Sequence, residues 1–185
     1  MGKGLPAALL MSNLQAAVRA CASEAIPPRE LCEKVNRIVC GNMTDGKFIS
    51  FVYCLFDAEN RRLTYANAGH LPPILLRRDG RTVRLREAGP VLGIFPDLRY
   101  AGGETSFGPG DKLLLFTDGI TEACDAGGEE FGEARLLDLL RAHARLGAGE
   151  LKSEILAAVS DYRTPEVQDD ATLLVVAAGQ KPGPG

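Results

Sequence analysis

"KLLLFTDGITEACD", residues 112–125, sets four consecutive apolar residues, Leu113 to Phe116, directly before Thr117, Asp118 and Gly119. A run of this kind reads as a strand covered on both faces, because a half-exposed strand alternates apolar with polar residues. The strand gives way at once to an aspartate and a glycine, so a rigid element delivers one carboxylate to the point where it stops. An Asp-Gly pair is equally a turn in which the aspartate satisfies backbone amides. The stretch alone leaves both readings open.

Downstream of it, helical spacing appears at Leu136, Leu137, Leu139 and Leu140 and again at Leu151, Ile155, Leu156 and Val159, with Gly147 and Gly149 between the two helices. A last strand, "ATLLVVAA" (171–178), follows Asp169 and Asp170 and so places a second acidic pair at a strand end. Upstream, "GPGD" (108–111) is a turn signal separating the opening stretch from a strand in "RYAGGETSF" (99–107). Farther upstream "PPILLRR" (72–78) and "RTVRLRE" (81–87) flank Asp79-Gly80, a dipeptide suited to tight hairpin turns. The β-branched and aromatic "KFISFVYCLFD" (47–57) and "RRLTYANAG" (61–69) predict another hairpin.

Two helices come first. Leu10, Leu14, Val18 and Cys21 recur at helical spacing between Leu5 and Ala25. A second helix begins at Pro27 and Pro28, carries Leu31, Val35, Ile38 and Val39 on one face and stops at Gly41. Helices, then hairpins, then helices, without strand–helix alternation, predict an α+β class. The near-continuous apolar strands predict two stacked antiparallel sheets flanked by helices, an α/β/β/α sandwich. The expected domain spans residues 1–178, and "GQKPGPG" (179–185) reads as a flexible tail.

The chain has 185 residues and a formal charge of −3, with basic residues scattered, so nucleic acid is excluded as an expected partner. The five cysteines, 21, 32, 40, 54 and 124, show no CxxC spacing, and there are two histidines, which argues against zinc and for reduced cysteines in a cytoplasmic protein. No apolar run approaches the ~20 residues of a membrane helix, so no membrane contact is expected of this segment.

Chemistry concentrates on the strand-end aspartates. Carboxylates held on rigid strands suit a hard divalent cation such as Mg2+ or Mn2+. Phe116 stands two residues before Asp118, where a phosphate-accepting nucleophilic aspartate would have to be, so covalent phosphoaspartyl chemistry lacks its nucleophile. Asn67, Gly69 and His70 in "NAGH" read first as a turn. Lys3 and Gly4 in "GKG", opening a helix, offer a weak phosphate-cradling signal.

Five motifs in one order carry a resemblance: "GKGLPAALLM", "ANAGHLPPILL", "GPVLGI", "LLLFTDGITEA" and "QDDATLLVV". Together they resemble the metal-dependent serine/threonine phosphatases of the PPM type, in the stage II sporulation E-like (SpoIIE-like) bacterial branch. The resemblance implies a two-metal Mn2+ or Mg2+ centre with Asp118 and Asp169 as catalytic metal ligands and Asp170 beside them. It implies weaker roles in phosphate or substrate binding for Lys3, Gly4, Gly119, Asn67 and His70.

It further implies hydrolysis of phosphoserine or phosphothreonine on a regulatory protein, an anti-sigma-factor antagonist by family likeness, under an upstream sensor domain. In such proteins two more metal aspartates precede "GKG", in an Asp-Val-Ser/Ala segment and a "GGDYYD"-like strand. Met1 stands in that place here. The expectation is therefore a domain lacking N-terminal strands, weak in metal binding and in turnover on its own, with an unpaired sheet edge open to homodimerisation. The rival reading is a partner-binding module that keeps the fold without the catalysis.

Overall fold

A computed structural model describes residues 5–22, 26–43, 47–164 and 170–179. In chain order the elements are α1 (Leu5–Cys21), α2 (Pro28–Asn42), β1 (Phe51–Asp57), β2 (Arg62–Ala68), β3 (Ile74–Leu76), β4 (Thr82–Arg84) and β5 (Ala88–Gly89). Then follow β6 (Gly102–Ser106), β7 (Lys112–Phe116), α3 (Asp118–Thr121), α4 (Gly132–Ala142), α5 (Ala148–Tyr162) and β8 (Leu173–Ala177). The class is α+β, with two four-stranded sheets. They belong to two units, Met1–His70 with Arg86–Ser106, and Leu71–Leu85 with Phe107–Gly185.

In the first unit β1 and β2 form the expected hairpin, in register from Phe51 opposite Ala68 to Asp57 opposite Arg62. β6 lies antiparallel on the other side of β2, and β5 adds a parallel pairing of two residues, Asn67 with Ala88 and Ala68 with Gly89. That parallel pair departs from an all-antiparallel expectation. Two residues in a Gly/Pro-rich connection are too few to show any periodicity.

Helix α2 starts with proline in its first turn, where the missing N–H has no intrahelical partner to lose. Its Leu31, Cys32, Val35 and Val39 are buried with Leu14 and Ala17 of α1 against Ala66, Ala68, Leu92 and Tyr100. α1 ends at Cys21, ahead of the expected Ala25, and residue 25 lies outside the described residues.

The second unit holds the order β4-β3-β7-β8, antiparallel throughout. The Asp79-Gly80 hairpin is present, with Gly80 at φ +87, the left-handed backbone that glycine adopts without penalty. Ile74, Leu76, Leu114 and Phe116 pack with Leu136 and Leu140 of α4 and Leu151, Ile155 and Val159 of α5. Leu75 and Leu113 face the other way on the alternating pleat and are also fully buried, so β7 is covered on both faces as its apolar run required. β7 and β6 do not pair: the "GPGD" turn, with Asp111 N–H donating to Gly108 O, carries the chain from one sheet to the other.

Lys112 opens β7 almost fully buried, its Nζ donating to Ala144 O at 2.8 Å. Burial lowers its pKa from the usual lysine value, an effect that the neighbouring Asp111 opposes. No disulfide joins the five cysteines. Among the described residues no helix is long and apolar enough to cross a membrane.

Candidate functional site

β7 is an inner strand, hydrogen-bonded to β3 on one side and β8 on the other. The corner at its C-terminal end is therefore held by two neighbours. Phe116 faces Leu173, which places the residues after β7 beside those before β8, because the two strands run in opposite directions. Asp118 and Asp170, 52 residues apart in sequence, are brought to one end of the sheet by that pairing.

Thr117 fastens the corner. Its backbone N–H donates to Thr172 O at 3.1 Å, its hydroxyl donates to Asp170 O at 3.3 Å, and the same Oγ1 accepts from Thr172 N–H at 2.9 Å. Asp118 then starts the single turn of α3, its carbonyl accepting from Glu122 N–H at 2.8 Å and from the Thr121 hydroxyl at 3.2 Å. Ile120, fully buried in the cluster beneath, anchors this turn to the core.

The Asp118 carboxylate is half-buried, and its Oδ1 accepts from Gly119 N–H at 3.0 Å. Glycine is required behind it. A Cβ on Gly119 would stand 2.9 Å from Asp170 O and 3.2 Å from Ala171 Cα, both backbone atoms. The absent side chain lets the backbone before β8 pass against the carboxylate's own turn.

Asn67, Gly69 and His70 sit together in the other unit, at the end of β2. Asn67 is fully buried; its Nδ2 donates to His70 O at 2.9 Å and its Oδ1 accepts from His70 N–H at 2.8 Å. The amide works as a clamp on the turn. Gly69 has φ +70, and a Cβ there would fall 2.3 Å from Val91 Cγ1. His70 is half-buried. Lys3, Gly4 and Asp169 lie outside the described residues.

Oxygen donors on a strand-held turn match the chemistry of a hard divalent cation, which takes carboxylate and carbonyl oxygen in preference to nitrogen or sulfur. Within the described residues, the acidic residues at this corner include Asp118, an exposed Asp170 and an exposed Glu122 at the end of α3. No group of three or more His, Cys, Asp or Glu side chains gathers among the described residues. The donor type fits a cation, and Asp118 would be one of its ligands. Two features of the corner escaped the sequence reading: the Thr117 clasp and the helical turn of α3. A threonine directly after an apolar strand was their only signal.

Comparison with known proteins bears on this arrangement. The family model described as stage II sporulation protein E (SpoIIE) matches residues 1–178. The phosphoserine phosphatase RsbU of Bacillus subtilis is 31% identical over 177 residues, covering 95% of this chain and 52% of that protein. The phosphoserine phosphatase RsbP of the same organism is 26% identical over 175 residues, covering 92% and 41%. The chain spans about half the length, or less, of these curated relatives. Among solved structures, the SiaA-PP2C domain of Pseudomonas aeruginosa superposes with a TM-score of 0.80 at 26% identity, over 95% of this chain and 71% of that one. A phosphatase-domain structure of Bacillus subtilis SpoIIE shares the fold at a TM-score of 0.76 and 17% identity, over 95% and 51%.

Proposed function

The chain belongs to the stage II sporulation protein E (SpoIIE) family, and from that premise we propose that it carries part of a metal-dependent phosphatase centre acting on phosphoserine or phosphothreonine of a regulatory protein. The observation that supports this reading best is the close pass of the Asp170–Ala171 backbone against Gly119, fastened by Thr117. It brings two acidic segments into one corner. The names of RsbU and RsbP, both phosphoserine phosphatases, supply the substrate chemistry. An anti-sigma-factor antagonist as substrate, an upstream sensor domain as input and a cytoplasmic setting complete the proposal.

Asp118 and Asp169 would hold the cation, with Asp170 beside them. When bound, Mn2+ or Mg2+ supplies Lewis acidity for the attack of water on phosphorus and neutralises charge on the phosphoryl oxygens. The chain's own contribution is positional. Thr117 and Ile120 keep Asp118 from swinging with the loop, and Gly119 leaves room for the second acidic segment. With Phe116 in the core, the water oxygen and no side chain forms the new bond to phosphorus while the serine or threonine ester oxygen leaves with a proton.

The test is release of phosphate from a phosphoserine-bearing regulatory protein with Mn2+ present, compared between the wild-type protein and Asp118→Asn. Loss of ~100-fold or more in kcat/KM supports the reading, a scale set by the several kcal/mol that metal ions contribute to such transition states. Mn2+-dependent turnover left intact in Asp118→Asn would refute it. Turnover by this chain alone is expected to be weak, so it is phosphoprotein binding unaffected by Mn2+, with no Mn2+ bound and no hydrolysis, that would favour the partner-binding alternative.

A further inference from the structure

The face of α2 opposite the core carries a charge pattern that the fold does not use. Arg29, Lys34 and Arg37 are exposed and form no ion pair with any described residue. Arg99 approaches the same face and donates from Nη1 to Glu33 at 2.8 Å. With Glu30 these residues line a groove of about 460 Å³ in which four cations meet two carboxylates. On α2 the like charges Lys34 and Arg37 stand three residues apart, and with Arg99 the groove holds two more positive than negative charges.

Tyr100 lines the same groove and gives a second, independent indication. Its residue is 4% exposed, and its hydroxyl has no hydrogen-bond partner among the described residues. Buried polar atoms are nearly always paired, and this one has no partner among the described residues. Its ring is held in place from behind, since a Cβ on Gly89 would come within 2.8 Å of Tyr100 Cδ1. Burial above all, then Cys32, Cys40 and Glu33, pushes the hydroxyl up to about 12. It therefore remains a donor throughout the neutral range.

We propose that this groove binds a phosphate-class dianion, with the guanidinium groups of Arg29, Arg37 and Arg99 as charge-assisted donors and the Tyr100 hydroxyl as the buried neutral one. The excess of two positive charges matches a phosphomonoester, which carries about −1.5 to −2 at neutral pH. Guanidinium forks suit its oxygens better than a lone carboxylate's, because they offer paired donors to a group with three acceptors. The phosphoryl group can be that of a small molecule or of a phosphorylated protein side chain. The site lies on α2 and the segment before β6, and its assignment does not depend on the role given to Asp118.

The test is an NMR titration of the full chain without added metal, using inorganic phosphate, a phosphoserine peptide and the same peptide unphosphorylated. Saturable shifts at residues 29–37 and at Tyr100 are expected, persisting in Asp118→Asn and weakened at least about tenfold in Arg29→Ala/Arg37→Ala. Tyr100→Phe should raise Tm without phosphate, by removing an unpaired buried hydroxyl, and shrink the further rise that phosphate produces; a merely structural role would not give opposite signs. Phosphate binding as tightly as the phosphopeptide assigns the site to small molecules, and tighter peptide binding assigns it to a protein. No saturable shift with either phosphorylated probe, shifts unchanged in the double variant, or equal binding of the unphosphorylated peptide would each overturn the proposal.

Discussion

Gly119→Ala isolates the contact on which the Asp118 corner depends. The added Cβ would meet Asp170 O at 2.9 Å, Asp170 C at 3.1 Å and Ala171 Cα at 3.2 Å. All three are main-chain atoms, so no side-chain rotation relieves the clash, and the segment before β8 has to withdraw by a few tenths of an ångström. Withdrawal strains the Thr117 clasp, whose three hydrogen bonds lie between 2.9 and 3.3 Å. Overpacking of this kind costs about 1–3 kcal/mol, and each weakened hydrogen bond about 0.5–1.5 kcal/mol. Alanine's better helix propensity returns at most about 1 kcal/mol.

The balance is a net loss of about 1–3 kcal/mol, measured as a shift in the urea midpoint with an unchanged m-value. Thr117→Val keeps the shape and removes only the hydroxyl, and should lose about 1–2 kcal/mol. Both variants should also bind Mn2+ more weakly than wild type. Gly119→Ala within about 0.5 kcal/mol of wild type, with unaltered Mn2+ affinity, would refute the reasoning, because surface changes with no structural consequence fall in that range.

Three further outcomes follow from the same geometry. Asn67→Ala removes both hydrogen bonds to the His70 backbone from a fully buried position, and should cost about 2–3 kcal/mol in denaturant unfolding, since the two backbone groups lose their partner. Cys32 and Cys54, pushed up to about 12 and about 11 chiefly by burial, stay neutral thiols in the fold; at pH 8 a thiol reagent should modify the fully buried Cys32 only at the rate of unfolding, and the half-buried Cys54 more slowly than an unperturbed thiol. Asp57 and Asp79 are held below the usual carboxylate value of 3.8, by Asn60 and by Arg81 respectively. A depressed folded pKa gives stability that is fully present above 3.8 and lost as pH falls through the folded value, so Asp57→Asn/Asp79→Asn should flatten the acid limb of stability below pH 3.8 and leave it unchanged in slope at neutral pH.

The parts of this molecule that were legible in its sequence are those with long-range periodicity. The apolar run of Leu113 to Phe116 announced a strand buried on both faces, and Asp79-Gly80 announced its hairpin. Residues whose meaning depends on a distant partner were not legible. Thr117 looks like a strand end until Thr172 arrives beside it. Asn36 lies on a helix amid apolar neighbours, yet it is fully buried and holds a loop 57 residues away, accepting from Gly93 N–H and donating to Phe95 O. Asn67 was legible as part of a turn, although its clamp on His70 needed coordinates. Asp118 falls between these cases: its strand could be read locally, and its meeting with Asp170, the neighbour before β8, was implied only by the family resemblance.

In the proposed function Asp118 would be a metal ligand, set beside the segment that leads into β8. Mn2+ is paramagnetic and broadens amide resonances close to it, so adding it to the 15N-labelled chain reads the location directly without any requirement for turnover. Broadening concentrated at residues 117–119 and 170–172, and lost in Asp118→Asn, is the expected result. Broadening centred elsewhere, or unchanged in Asp118→Asn, would contradict it.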